Sequence, residues 1–141
     1  MFSEPSLAAL LKVAAAIQAI VSVLNLQLCR WLGWKRELAQ LPLLIRQVFH
    51  VHSWFISLTL AIFAVLTWRF AADMAEGHQP NATWLATAIG IFWLVRTLVQ
   101  VAYYSPSHWR GRRGPTVVHI ALSVTYGGMS ALYLGVGIPH A

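Results

Sequence analysis

The segment from Leu43 to Ala72 reads LLIRQVFHVHSWFISLTLAIFAVLTWRFAA, an apolar run with most of its polar residues in the first half. A helix needs about 20 mainly apolar residues to cross about 30 Å of hydrocarbon, so this run is long enough to span a membrane. Three further apolar stretches run from Leu7 to Leu28, from Trp84 to Tyr104 and from Thr116 to Ile138. We therefore predict an all-α, polytopic integral membrane protein built as a four-transmembrane-helix bundle.

The composition agrees with that prediction. Of the 141 residues, 58% are hydrophobic and only 10% are charged, and the mean hydropathy is +0.63. So few charged side chains would leave a soluble domain poorly covered by polar surface. Only short segments remain outside the four stretches, so we expect residues 1–141 to form a single membrane domain.

The basic residues predict the orientation of the chain. Two basic clusters follow the first and third spans, and they consist of Arg30, Lys35 and Arg36, and of Arg110, Arg112 and Arg113. Four spans place these two loops on one side, which the positive-inside bias assigns to the cytoplasm, with both termini outside. The net charge of +6 is then a topology signal that also attracts anionic lipid, with no nucleic-acid partner expected. We expect a multi-pass protein of a bacterial inner membrane.

Each predicted span carries polar residues at helical spacing. Positions i, i+4 and i+7 share one face of a helix. The resulting stripes consist of Gln18, Ser22 and Asn25; of Arg46, His50, Ser53 and Ser57; of Arg96, Gln100 and Tyr103, with Tyr104 at the edge; and of His119, Ser123, Tyr126, Ser130 and Tyr133. Because an unsatisfied polar group is costly in hydrocarbon, we expect the stripes to face one another around a polar pocket in the cytoplasmic half of the bundle.

Arg96 lies inside the third span, where a charged side chain needs a partner. The four carboxylates of the chain, which are Glu4, Glu37, Asp73 and Glu76, all lie outside the centres of the spans. One hypothesis is an external counter-charge, namely a lipid phosphate, a cofactor carboxylate or an acid on another subunit. The alternative is that Arg96 extends to the interface and bonds Gln100, Tyr103 and backbone carbonyls.

The histidines suggest a cofactor. His50 and His52 are two residues apart and point in nearly opposite directions on a helix, whereas helical pairs that share a metal lie at i and i+4. A two-histidine site would instead join His50 to His119 as axial ligands of a haem b iron, or one of them would hold the magnesium of a chlorin. His52 is expected to face lipid, a partner subunit or a separate ligand. The simpler alternative is that each histidine hydrogen-bonds a Ser, a Tyr or a carbonyl group.

Small and aromatic residues complete the pattern. Gly127 and Gly128 are predicted to let the fourth helix approach a neighbour closely. Tryptophans near the ends of the spans are expected to form an interfacial belt, and they are Trp31, Trp34, Trp68, Trp84 and Trp109.

Three classes of function fit this sequence. In the first, the chain is a small subunit of a larger redox or light-driven membrane complex and holds a haem, a chlorin, a quinone or a lipid. The candidate binding residues are Arg46, His50, His52, Arg96, Gln100, Tyr103 and His119, with His50 and His119 as candidate metal ligands. In the second, the chain is an autonomous enzyme or transporter for an amphipathic anion, with a histidine as the proton carrier and Arg96 as the anion clamp. In the third, the polar stripes serve helix packing alone. Membrane lipids and other membrane subunits are the expected partners.

Overall fold

The computed structural model describes residues 3–31, 33–103, 111 and 113–138, apart from the side chains of residues 28, 29 and 115. In this part of the chain the regular elements are all helical. They are α1 (Glu4–Trp31), α2 (Lys35–Ala39), α3 (Leu43–Glu76), α4 (Pro80–Leu98), a π-helix (Val99–Tyr103) and α5 (Arg113–Gly137). The predicted all-α class is confirmed.

Four helical segments are long and apolar enough to cross a membrane. They are Glu4–Gln27, Leu43–Glu76, Pro80–Tyr103 and Thr116–Gly137, and their ends agree with the four predicted spans to within four residues. The third begins at Pro80 rather than at Trp84 because proline suits the first turn of a helix, where its missing N–H needs no partner. Large apolar side chains are exposed along all four helices, as lipid contact requires. The fold is therefore compatible with a multi-pass membrane protein.

The chain divides into two compact units. Unit 1 comprises Met1–Leu11 and Phe70–Ala141, and unit 2 comprises Lys12–Arg69. The boundary within α3 coincides with a break in the helix, because Phe70 has the non-helical angles φ −106° and ψ 16°. The expectation of a single membrane domain stays a prediction.

In unit 2, polar side chains connect α1 to α3. The Ser22 hydroxyl donates to the carbonyl oxygen of Ser57 at 2.6 Å, and the Asn25 amide donates to the Ser57 hydroxyl at 2.9 Å. Gln18 is fully buried on the same face of α1. Further along, the ammonium of Lys12 lies 5.7 Å from the centroid of the Trp68 ring. Each interhelical hydrogen bond in lipid contributes about 0.6–2 kcal/mol, so these contacts fix how α1 and α3 pair.

In unit 1, α4 packs against α5 at positions without a side chain. A Cβ atom at Gly90 would lie 2.8 Å from the Leu134 side chain, and one at Gly137 would collide with Thr87. The predicted contacts at Gly127 and Gly128 are not where the helices meet most closely. A Cβ at Gly127 would lie 3.9 Å from Thr97, and one at Gly128 would meet no described atom within 4 Å. The prediction was wrong because the two residues lie beside the packed face of α5 that includes Met129, Ser130 and Tyr133.

Several hydroxyl groups on the helices bond to their own backbone. Six of them donate to the carbonyl oxygen four residues earlier, at 2.7–3.1 Å, and they belong to Thr59, Thr83, Thr87, Thr97, Ser123 and Thr125. This arrangement satisfies a hydroxyl in an apolar environment without a second helix. It allows these residues to lie within helices that are apolar enough to span a membrane.

The tryptophans near helix ends differ in their surroundings. Trp31 and Trp84 are strongly exposed, whereas Trp34 packs on Phe49. Trp68 is exposed beneath Lys12, and Trp109 lies outside the described residues. An interfacial belt stays a prediction for these side chains.

Candidate anion-binding site

The short helix α2 lies between α1 and α3 in the chain. Gly33 provides the turn after α1 with φ +69°, a conformation that L side chains rarely adopt. The ring of Trp34 then packs edge-on against Phe49 of α3, with 6.4 Å between centroids. Leu38 is buried, so α2 turns its apolar face inward. These contacts hold Lys35 next to the start of α3.

A cavity of about 300 Å3 lies between α1, α2 and α3. Its polar lining consists of Arg30, Lys35, Arg46, His50 and Ser53. Its apolar lining consists of Leu26, Leu38, Ala39 and Trp54. We call this cavity the basic pocket. Its two kinds of lining suit a molecule with a charged end and an apolar end.

The electrostatics of the basic pocket favour an anion. Arg30, Lys35 and Arg46 come from three different helices, and no carboxylate is among the described lining residues. In the described part of the chain, none of these three cations forms an ion pair with a carboxylate. Arg46 also lies in the first turn of α3, where the helix dipole makes a positive charge unfavourable by about 0.3–1 kcal/mol. A bound anion would offset both the repulsion among the three cations and the unfavourable interaction of Arg46 with the helix dipole.

A network of hydrogen bonds between α1 and α3 adjoins the basic pocket. The Asn25 amide donates to the carbonyl oxygen of Ser53 at 3.0 Å and contacts the Ser53 hydroxyl at 3.5 Å. Since Ser53 lines the pocket, this network sets the separation of α1 and α3 there. The sequence pattern grouped these residues correctly on their respective helices.

Unit 1 holds a second polar cluster, around Arg96. The guanidinium carbon of Arg96 lies 4.8 Å from the centroid of the Tyr126 ring. Tyr126 in turn stacks on Trp93 at 5.2 Å with an interplanar angle of 28°, and both rings are buried. A desolvated cation–π contact contributes about 2 kcal/mol. Arg96 therefore has an aromatic partner within the chain, which neither hypothesis from the sequence included.

The π-helix reshapes the end of the third span. Gln100 is 5% exposed and Tyr103 is 82% exposed, although the sequence pattern placed both on one polar face. A π-helix has a wider turn than an α-helix, so it rotates the residues that follow away from the expected stripe. Such turns occur frequently at functional sites and are difficult to predict from periodicity.

The amide of Gln100 bonds the imidazole of His119. Gln100 Nε2 lies 3.1 Å from His119 Nδ1. An amide NH2 group only donates, so Nδ1 accepts, and in a neutral ring the proton then resides on Nε2. For His119 to ligate a metal through Nε2, the Gln100 amide would have to turn over and present its oxygen.

The structure distributes the predicted site residues over both units. Arg46 and His50 line the basic pocket of unit 2, whereas His52 is exposed outside that lining. Unit 1 contains the others, namely Arg96, Gln100, Tyr103 and His119, while Tyr104 falls outside the described residues. A haem site that joins His50 to His119, or a chlorin held by one of these histidines, stays a prediction. Among the described residues, no three His, Cys, Asp or Glu side chains are grouped so that they could hold a metal ion.

Sequence reasoning overlooked Arg30 and Lys35 as site residues because it assigned them to topology alone. The signal that was missed is that each of three successive helices carries one cation near the end that lines the basic pocket.

Comparison with known proteins adds no assignment. No protein-family model, curated protein or solved structure matches the chain. Function therefore has to be argued from the residues and their geometry.

Proposed function

We propose that this chain is a small multi-pass membrane subunit that holds an anionic lipid, or a similar amphipathic anion, in the basic pocket. One observation carries the proposal. Arg30, Lys35 and Arg46, from three helices, line a single cavity that has no carboxylate among its described residues. Charge-assisted hydrogen bonds from arginine and lysine to phosphate oxygens are about twice as strong as neutral ones.

The apolar side of the pocket supports a ligand with a hydrocarbon part. Leu26 and Trp54 line the same cavity and are 38% and 67% exposed. In a membrane such exposed surfaces contact acyl chains, so an anionic lipid could place its headgroup among the cations and its chains beside these two residues. A soluble anion would leave this apolar lining uncovered.

The proposed orientation supports an anionic lipid further. The pocket includes basic residues from the loop between the first two spans, and the positive-inside bias assigns this loop to the cytoplasm. The cytoplasmic leaflet carries the anionic lipids that attract such segments. We therefore propose that both termini lie outside, in a bacterial inner membrane or a membrane of equivalent polarity.

Lipid analysis tests the proposal. The protein would be purified in neutral detergent as wild type, as Arg46→Gln and as the control Arg113→Gln, whose residue is exposed in unit 1. Mass spectrometry of solvent extracts would then count anionic amphiphiles per chain. We expect about one in wild type and control and a clear loss in Arg46→Gln. Equal amounts in all three would contradict the proposal.

Membership of a larger redox or light-driven complex belongs to the same proposal. Gentle extraction should then yield the chain together with other membrane proteins. An autonomous enzyme or transporter would instead convert or move the amphiphile when reconstituted alone, and that activity should disappear in His50→Ala. Recovery of an inactive, isolated chain would contradict both membership of a complex and an autonomous enzyme or transporter.

A pigment-holding subunit is the second candidate, favoured by the exposed His50 in the lining of a cavity. The pocket volume of about 300 Å3 lies at the lower end for small-molecule sites, which favours a headgroup over a macrocycle. A visible absorption spectrum of the extracted protein, before and after dithionite, decides between them. Soret and redox-sensitive α bands that disappear in His50→Ala would establish haem b, and red chlorin absorption would establish a chlorin.

A further inference from the structure

We infer that the basic pocket recognises a terminal phosphate group with two negative charges, and that it discriminates against phosphodiesters with one. Since this inference rests on the proposed function, it specifies the headgroup of the amphipathic anion. The ligand class is a phosphomonoester, as found at the polar end of phosphatidic acid or in a water-soluble phosphomonoester.

Charge balance is the first reason. The described lining contributes three formal positive charges, from Arg30, Lys35 and Arg46, and no negative charge. A phosphodiester with a single charge would leave two positive charges uncompensated in a partly enclosed site. Charge interactions are stronger there than in water because the surrounding dielectric is lower. A second negative charge on the ligand is therefore strongly favoured.

The arrangement of the cations is the second reason. Each of the three comes from a different helix, so they approach a ligand from separate elements. A terminal phosphate has three acceptor oxygens, which provides one for each cation. A phosphodiester has only two such oxygens. The Ser53 hydroxyl, which lines the same cavity, can donate a further hydrogen bond.

The size of the pocket is the third reason. A cavity of about 300 Å3 is at the lower end for small-molecule sites, which suits a phosphate and a few attached atoms. The apolar part of a larger ligand would have to leave the cavity past Leu26 or Trp54. Both residues are exposed, so an acyl chain can continue along the surface of unit 2.

Calorimetric titration in neutral detergent tests the inference with three probes. Short-chain phosphatidic acid is the dianionic lipid, phosphatidylglycerol with the same chains is the monoanionic control, and glycerol 3-phosphate is the dianion without chains. Phosphatidic acid should bind at least about tenfold more tightly than phosphatidylglycerol. Glycerol 3-phosphate should bind much more weakly if the natural source is a lipid, and as tightly if it is a soluble phosphomonoester.

Matched variants locate the binding. Two variants, Arg46→Gln and Lys35→Gln, should each weaken phosphatidic acid binding about tenfold or more. The control is Arg36→Gln on α2, which should leave binding unchanged because Arg36 does not line the pocket. If the two lipids bind equally and Lys35→Gln weakens the binding of both, the proposed anion site in the basic pocket is supported and the preference for a dianion is wrong. If none of the three probes binds, the proposed function fails together with the inference.

Discussion

The side-chain amide of Asn25 donates a hydrogen bond of 3.0 Å to the carbonyl oxygen of Ser53, and Ser53 lines the basic pocket. The same amide donates to the Ser57 hydroxyl at 2.9 Å. One residue of α1 thus binds α3 at two successive turns. The contacts that pair the two helices are also the contacts that hold Arg30 and Arg46 around one cavity.

Asn25→Ala should destabilise unit 2. The substitution removes the interhelical bonds to Ser53 and Ser57, and such bonds in lipid contribute about 0.6–2 kcal/mol. We expect the free energy of unfolding to fall by about 1–2 kcal/mol in a steric-trapping measurement in bicelles. Phosphatidic acid binding should weaken as well, because the pocket loses its support.

Thr59→Ala is the matched control for Asn25→Ala. The Thr59 hydroxyl donates to the Phe55 carbonyl within α3 and forms no bond to α1 in the described structure. Its removal should change the free energy of unfolding by less than about 0.5 kcal/mol. If the two variants lost equal stability, the polar pairing of α1 with α3 would not be important.

Gly90→Ala and Gly128→Ala should have opposite effects on unit 1. A Cβ at position 90 would lie 2.8 Å from the Leu134 side chain and 3.0 Å from its backbone nitrogen, which requires α4 and α5 to separate. Overpacking of this kind costs about 1–3 kcal/mol. At Gly128 a Cβ meets no described atom, so alanine should be neutral or stabilise the helix by up to about 1 kcal/mol. Thermal unfolding of the two variants in one detergent gives the comparison.

Tyr126→Leu should cost more stability than Tyr126→Phe. Leucine removes the ring that contacts both the Arg96 guanidinium and Trp93, whereas phenylalanine keeps both contacts. The cation–π and stacking terms together are about 2–3 kcal/mol in a desolvated site. Equal losses in the two variants, measured by thermal unfolding, would show that the hydroxyl matters and the ring faces do not.

The spans were predictable from the sequence because the period and length of apolar runs are dictated by the thickness of a membrane. Some stripe residues in the α-helices are buried, as the pattern predicted, although His50 in α3 is exposed. Gln18, Ser22 and Ser57 are all buried. Beyond Leu98 the π-helix changes the residues per turn, so the same rule put Tyr103 on the wrong face.

The site was less predictable than the fold. Of the residues that line the basic pocket, Arg46 and His50 belong to a predicted stripe, whereas Arg30 and Lys35 were assigned to topology alone, because basic residues near the ends of spans already have an explanation there. Lys35 lies on α2, a five-residue helix too short to produce a periodic signal. The contact of Arg96 with Tyr126 was also missed, because aromatic rings were considered only as packing groups and not as cation–π partners.

Accessibility labelling tests the proposed topology. In a Cys29→Ser background, Lys35→Cys and Arg113→Cys should react with a membrane-impermeant maleimide only from the cytoplasmic side. His78→Cys, in the segment between α3 and α4, should react only from the other side. All three residues are exposed, so failure to react would not be due to burial. The reverse labelling pattern would show that the chain has the opposite orientation in the membrane.

The most direct measurement is native mass spectrometry of the protein after equilibration with equimolar phosphatidic acid and phosphatidylcholine. Wild type should retain one phosphatidic acid per chain in preference to phosphatidylcholine. The double variant with Lys35→Gln and Arg46→Gln should retain none, while the double variant with Arg36→Gln and Arg113→Gln should match wild type. Equal retention of the two lipids by wild type, or undiminished retention by the pocket variant, would contradict an anionic-lipid site in the basic pocket.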